Sequence, residues 1–180
     1  MNRVAPALAL FLALVLFAAC RTAPSEPVVL LDFEEEADLD QLMWRCRDRF
    51  APTTQWAASG AHSLLCEPAH RSYPGLVIHP RLADWTPYRT LSLQMYSTAL
   101  ETLSLVIRID DAESGPAYES RYNGSFRLAP GGNHLAVDLE EARRAPAGRE
   151  LDLSDLTQLI IFLRTPEKTP AFYIDHVVLR

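Results

Sequence analysis

The chain has 180 residues, 23 acidic against 17 basic side chains and a formal net charge of -6, with Lys168 as its only lysine. A mildly acidic chain without a basic cluster argues against nucleic acid as a partner. The length suits one domain that buries about two-thirds of its unfolded surface, and no second domain is needed.

The order of the chain begins with Arg3, followed by an apolar run from Val4 to Ala19 that closes on Leu16-Phe17-Ala18-Ala19-Cys20. A basic start, an apolar centre and small residues before a cut describe an export leader. The run is short for crossing ~30 Å of hydrocarbon. The segment resembles the lipobox of bacterial lipoproteins, with Phe17 where that motif mostly carries Leu. The resemblance implies a signal peptide over residues 1–19 and an acylated, palmitate-type Cys20 that anchors the mature chain in the cell envelope. An ordinary secretory leader followed by a cysteine is the alternative. Arg21, where an aspartate signals inner-membrane retention, points to the periplasmic face of an outer membrane. Residues 20–27, rich in Pro and polar side chains, read as the lipidated cysteine and its tether.

Cys46 and Cys66 are then an even pair in an oxidising compartment. A disulfide between neighbouring strands and two reduced, buried thiols both fit their separation.

From Val28 onward short apolar stretches alternate with Pro, Gly, Asn and Ser, and no segment holds a helical period. Val28–Phe33 opens the fold. Strands are expected at 61–67, 76–79, 91–96, 103–110, 118–122, 125–128, 135–139, 159–163 and 172–179. Leu91, Leu93 and Met95 alternate with Ser92, Gln94 and Tyr96, and Leu103, Leu105, Ile107 and Ile109 alternate with Ser104, Val106, Arg108 and Asp110. Residues 140–144 have room for one helical turn before Pro146. Short half-polar strands joined by turns predict an all-β, antiparallel β-sandwich, a jelly roll, over residues 28–180.

Several segments, in order, resemble the galactose-binding-like jelly-roll superfamily of carbohydrate-binding modules: Leu31-Asp32-Phe33-Glu34, Ser59-Gly60-Ala61-His62-Ser63-Leu64, the stretch 84–91, Pro130 to Leu139, and Phe172-Tyr173-Ile174-Asp175-His176-Val177. The resemblance spans nearly the whole mature chain. It implies a structural Ca2+ site, for which Asp32 and Glu34, two apart on one strand face, and Asp175 on the last strand are the candidate ligands, with carbonyls near Ser59 and Gly60. The alternative is hydrogen-bonded strand-end carboxylates without metal.

A glycan site needs aromatic faces beside planar polar groups. The polar faces of the central strands offer Gln94, Tyr96, Arg108, Asp110, Arg121 and Tyr122, and loops add Tyr73, Trp85 and Tyr88. Trp44, Trp56 and Trp85 serve equally well as core or sheet-edge packing. Catalytic residues are not expected. Asp110-Asp111 and Glu140-Glu141 point apart on extended backbone, and the five histidines show no ligand spacing. A lyase or hydrolase would have to gather Arg108, Tyr122 and His134 from distant strands. The leading expectation is therefore a membrane-tethered, non-catalytic lipoprotein that binds a glycan or polysaccharide on one sheet face. The alternative is a scaffold lipoprotein that docks a protein partner through the same fold.

Overall fold

In the computed structural model, residues 26–43, 49–68, 73–164 and 170–180 are described. Among these residues, alternating side chains fold into eleven strands: β1 (Val28–Leu31), β2 (Leu42–Met43), β3 (Arg49–Thr53), β4 (Ser63–Glu67), β5 (Gly75–Ile78), β6 (Thr90–Ser97), β7 (Leu103–Asp111), β8 (Tyr122–Leu128), β9 (Gly131–Asp138), β10 (Leu156–Leu163) and β11 (Phe172–Leu179). They form two antiparallel sheets. One runs β3-β4-β11-β6-β9 with β1 also on β11, and the other runs β2-β5-β10-β7-β8.

The predicted period of two decides the packing. Leu91, Leu93 and Met95 of β6 meet Leu105, Ile107 and Ile109 of β7 in one core, all of them without solvent exposure. Each such side chain contributes about 2 kcal/mol through burial alone. Residues Leu139–Arg144 form a single short helix, α1. Asp138 caps it by accepting from the amides of Glu140 (2.8 Å) and Glu141 (3.0 Å), which satisfies two orphan donors of the first turn.

Three expectations need adjusting. The opening strand stops at Leu31, because Phe33 turns the chain at a φ of 60° and a 3₁₀ turn follows over Glu36–Gln41. The 118–122 strand is instead a 3₁₀ turn at Tyr118–Ser120 before β8 begins. Gly131 and Gly132 belong to β9 rather than to the preceding turn.

The last strand organises the first sheet. Residues Phe172 to Ile174 pair with β4, whereas Val177 to Leu179 pair with β1, so β1 and β4 share one side of β11 with a gap between them. Opposite, β6 runs past with an extra residue on β11, since Asp175 faces Gln94 and Val178 faces Ser92. This bulge places His176 at a φ of 50°. The start and end of the domain are thereby adjacent.

Candidate functional site

The outer face of the second sheet carries a groove of 540 Å³. Its floor comes from facing residues of three strands, because Ile160 of β10 lies opposite Arg108 of β7, Phe162 lies opposite Val106, and Arg108 lies opposite Asn123 of β8. Two exposed aromatics flank this floor. Tyr73 just before β5 is 51% exposed and meets Phe162 edge-on, ring centroids 5.8 Å apart. Tyr118, 59% exposed, lines the groove from the 3₁₀ turn before β8, where its carbonyl accepts from Asn123 Nδ2 at 2.9 Å.

The groove's guanidinium groups are held differently. Arg108 donates from both Nε and Nη2 to the two oxygens of Asp110, the Nε bond being 2.7 Å, so this pair is bidentate and internally neutral. Arg121 donates from Nη1 and Nη2 to the carbonyls of Gly115 (3.3 Å) and Pro116 (2.9 Å), and its buried Nε has no partner. Burial, and then the nearby Arg108 charge, push Arg121 below the ordinary arginine value. Arg164 lines the groove from the residue after β10.

The turn that carries Tyr118 and Arg121 is tied down from below. Arg149 donates to both oxygens of Asp111 at 2.6 and 2.8 Å, and also to the carbonyl of Ser120. Ser114 donates to Asp111 at 2.8 Å. Burial opposes the Asp111 carboxylate, but Arg149, the Asp152 amide and Ser114 outweigh it and bring the carboxyl down to about 2. Ion pairing so deep in the structure fixes the groove wall in one position.

The structure divides the sequence candidates. Arg108, Asp110, Arg121 and Tyr73 gather on this face. Gln94 and Tyr96 lie on the outer face of the other sheet, because β6 and β7 are consecutive in the chain but belong to different layers. There Tyr96 packs with Trp56 (5.8 Å) and Tyr173 (6.0 Å), and Tyr173 donates to Gln55 at 2.8 Å. Trp85 is corrected to a core residue. It has no exposed surface and its indole donates to the Leu82 carbonyl at 2.8 Å, so it cannot meet a ligand. Tyr122 faces inward opposite Ile109, and burial, then Glu141 and Asp138, push its hydroxyl up to about 12. Tyr88 lines a separate depression of 900 Å³ in which Glu140, Arg143 and Glu150 are already paired with one another. Arg108, Tyr122 and His134 are not brought together, since His134 sits opposite Gln94 on the other sheet.

The proposed calcium ligands do not converge. Among the described residues, no group of three or more His, Cys, Asp or Glu side chains is placed to hold a metal ion. Asp175, in the gap between β1 and β4, accepts from the amides of Ala58 (2.6 Å), Ser59 (2.9 Å) and His176 (2.7 Å). Glu34 accepts from the amides of Ala61 and His62, both at 2.7 Å, while the Asp32 carboxylate accepts from the Glu34 amide at 3.3 Å. The 58–62 loop thus turns N–H groups toward Asp175 and Glu34, where a cation needs carbonyl oxygens. The residues present do not fit calcium. Cys66 is fully buried in β4; Cys20, Cys46 and Trp44 lie outside the described residues, and with them the lipid anchor and the disulfide.

Sequence reasoning missed Tyr118, Asn123, Ile160, Phe162 and Arg164. Phe162 and Ile160 carried a readable signal, since an apolar residue on the outward phase of a strand marks a covered or occupied face. Tyr118 carried none, because its turn was taken for a strand.

Solved structures share this architecture. A family 11 carbohydrate-binding module from Clostridium thermocellum, in complex with a β-1,3-1,4-mixed-linked tetrasaccharide, superposes with a TM-score of 0.61 at 14% identity, covering 85% of this chain and 94% of that one. The chain has a carbohydrate-binding-module fold. The C-terminal family 22 carbohydrate-binding module of Clostridium thermocellum Xyn10B matches this chain with a TM-score of 0.54 at 16% identity, covering 82% of this chain and 89% of that one. An exo-β-agarase matches with a TM-score of 0.64 at 14% identity, covering 84% of this chain but only 25% of the agarase. No protein-family model and no curated protein matches the chain.

Proposed function

We propose that this chain is a non-catalytic glycan-binding module, tethered through an acylated Cys20 to a bacterial membrane, with its binding site in the groove on the second sheet. The observation that carries the reading is the pair of exposed tyrosines, Tyr73 and Tyr118, flanking an apolar floor beside fixed guanidinium and amide groups. Aromatic faces take the apolar side of a pyranose ring, and planar donors take its hydroxyls. The volume of 540 Å³ is in the range of small-molecule sites. The shared fold supports the reading as analogy only.

Affinity electrophoresis and calorimetry of the full chain against a broad set of oligosaccharides test it. Tyr73→Ala and Tyr118→Ala are each expected to weaken retention about tenfold, while Tyr96→Ala on the opposite face leaves it unchanged. Loss on Tyr96→Ala alone moves the site to the other sheet. Silence across the whole set removes the glycan reading and leaves protein docking as the alternative.

A further inference from the structure

The groove's charge goes against the charge of the protein around it. The chain carries a net -6, yet three of the nine residues lining the groove are arginines and none is acidic. Arg108 is neutralised by its fork on Asp110. Arg121 and Arg164 make no ion pair with any carboxylate of the described residues.

Arg121 is the more telling of the two. Its two terminal nitrogens rest on neutral carbonyls and its Nε is buried without an acceptor. A guanidinium in this position carries a desolvation cost that no hydrogen-bonded carboxylate offsets, the Asp110 and Glu119 charges acting on it only from farther away. A free surface arginine relieves such a cost by swinging into water, but this one is held by the 115–121 turn, which Arg149 pins to the sheet through Ser120 and Asp111. Arg164 stands farther along the groove. Its amide bonds the carbonyl of Ser104, four residues from Arg108 on β7, which is about 13 Å of strand. Two separate unpaired cations suit a chain with repeated negative charge better than a single acidic end group.

We propose that the groove binds an anionic glycan, one that carries carboxylate or sulfate groups along its length, with Arg121 and Arg164 as the residues that contact those groups. This rests on the glycan-binding reading above and narrows it to a ligand class. An anion beside Arg121 supplies the acceptor its Nε lacks, and charge-assisted contacts of that kind are about twice as strong as neutral ones. Tyr73 and Tyr118 then hold the sugar faces, while the two arginines select for charge.

The test titrates the full chain with five probes of matched length. These are an oligogalacturonate, a sulfated galactan oligosaccharide, neutral β-glucan and xylan oligosaccharides, and an oligoglutamate peptide as a charge control. The expected result is binding of at least one anionic saccharide at least about tenfold tighter than the neutral ones, weakened in about 0.5 M NaCl. Preference between the first two probes distinguishes carboxylate from sulfate. Arg121→Gln and Arg164→Gln are each expected to weaken the anionic saccharides far more than the neutral ones and so erase the preference, and Arg121→Lys to restore part of it. Thermal unfolding shows whether Arg121→Gln is folded, and the exposed Arg164 provides the second variant if it is not. Neutral saccharides binding as tightly as anionic ones overturn the charge assignment and leave the glycan reading standing. Oligoglutamate binding as tightly as the anionic saccharides overturns it in favour of an acidic peptide. Failure of every saccharide removes the glycan reading itself.

Discussion

A buried ion pair sets the acid behaviour of this domain. Asp111 has a side chain with no exposed surface, its partner Arg149 is 22% exposed, and the pair joins β7 to the loop after α1. The Asp111 carboxyl lies at about 2 in the folded chain against an ordinary 3.8. Lowering it means that the folded state binds fewer protons than the unfolded one inside that window. The resulting stability is complete above 3.8 and drains away as the pH falls toward 2, amounting to about 2 kcal/mol. Urea midpoints measured downward from about pH 5 are expected to fall through this window, and Asp111→Asn to flatten that part of the curve. Parallel curves for the two proteins would assign the acid limb to other carboxylates. Asp175 is a buried carboxylate of the other kind. Burial pushes it up against the three amides that bond it, and the arrangement ties the 58–59 backbone into the gap between β1 and β4. The sequence displayed its acidic neighbours but not the polarity of the groups opposite, so the same residues suggested a cation that the loop amides do not accommodate.

Strand β5 shows how closely the elements must approach. A Cβ on Gly75 would lie 2.1 Å from the Ile161 carbonyl and 2.6 Å from the Phe162 Cα, both backbone atoms of β10 that cannot step aside. Since Gly75 stands opposite Phe162, an added Cβ projects to the same face and the clash falls beside Phe162 at the groove floor. Gly75→Ala is expected to cost about 3 kcal/mol by pushing β5 off β10, read as a lower denaturant midpoint, and to weaken any ligand that uses Tyr73. A midpoint within a few tenths of a kcal/mol of the original would mean that the strands part freely there. Spacing of this kind was not legible beforehand, whereas alternation was. The inward sets of β6 and β7 were read correctly because a period of two leaves a single phase that fills the core, whereas β11 was read from its apolar run, nearly all of which is buried on both faces. Alternation says which side faces the core but not which layer a strand joins. Tyr96 and Arg108 therefore looked like neighbours and lie on opposite faces of the molecule. The two-residue β2 was missed because it is too short to show a period, and β3 because it begins at an exposed arginine, contains Pro52 and buries only Phe50.

Taken whole, the molecule is closed on itself at its ends. Val28 pairs with Leu179 and Val29 with Val178, so the first and last strands are hydrogen-bonded neighbours about 5 Å apart. The link between β6 and β7 crosses from one sheet to the other without forming a hairpin, and its Leu100 is 95% exposed. Stability resides in the two sheets and their shared core rather than in that crossing. A circular permutant that joins Arg180 to Val28 through a short Gly-Ser linker and opens the chain at Leu100 is therefore expected to fold. It should keep one cooperative unfolding transition, lose no more than about 2 kcal/mol, and retain whatever the groove binds, since none of the lining residues belongs to the 98–102 link and Arg164, the one bonded near it, is held by the Ser104 carbonyl inside β7. An unfolded permutant would show that entry from β6 into β7 is needed to bring the layers together. A folded one that fails to bind would show that the groove depends on a strain carried across that link.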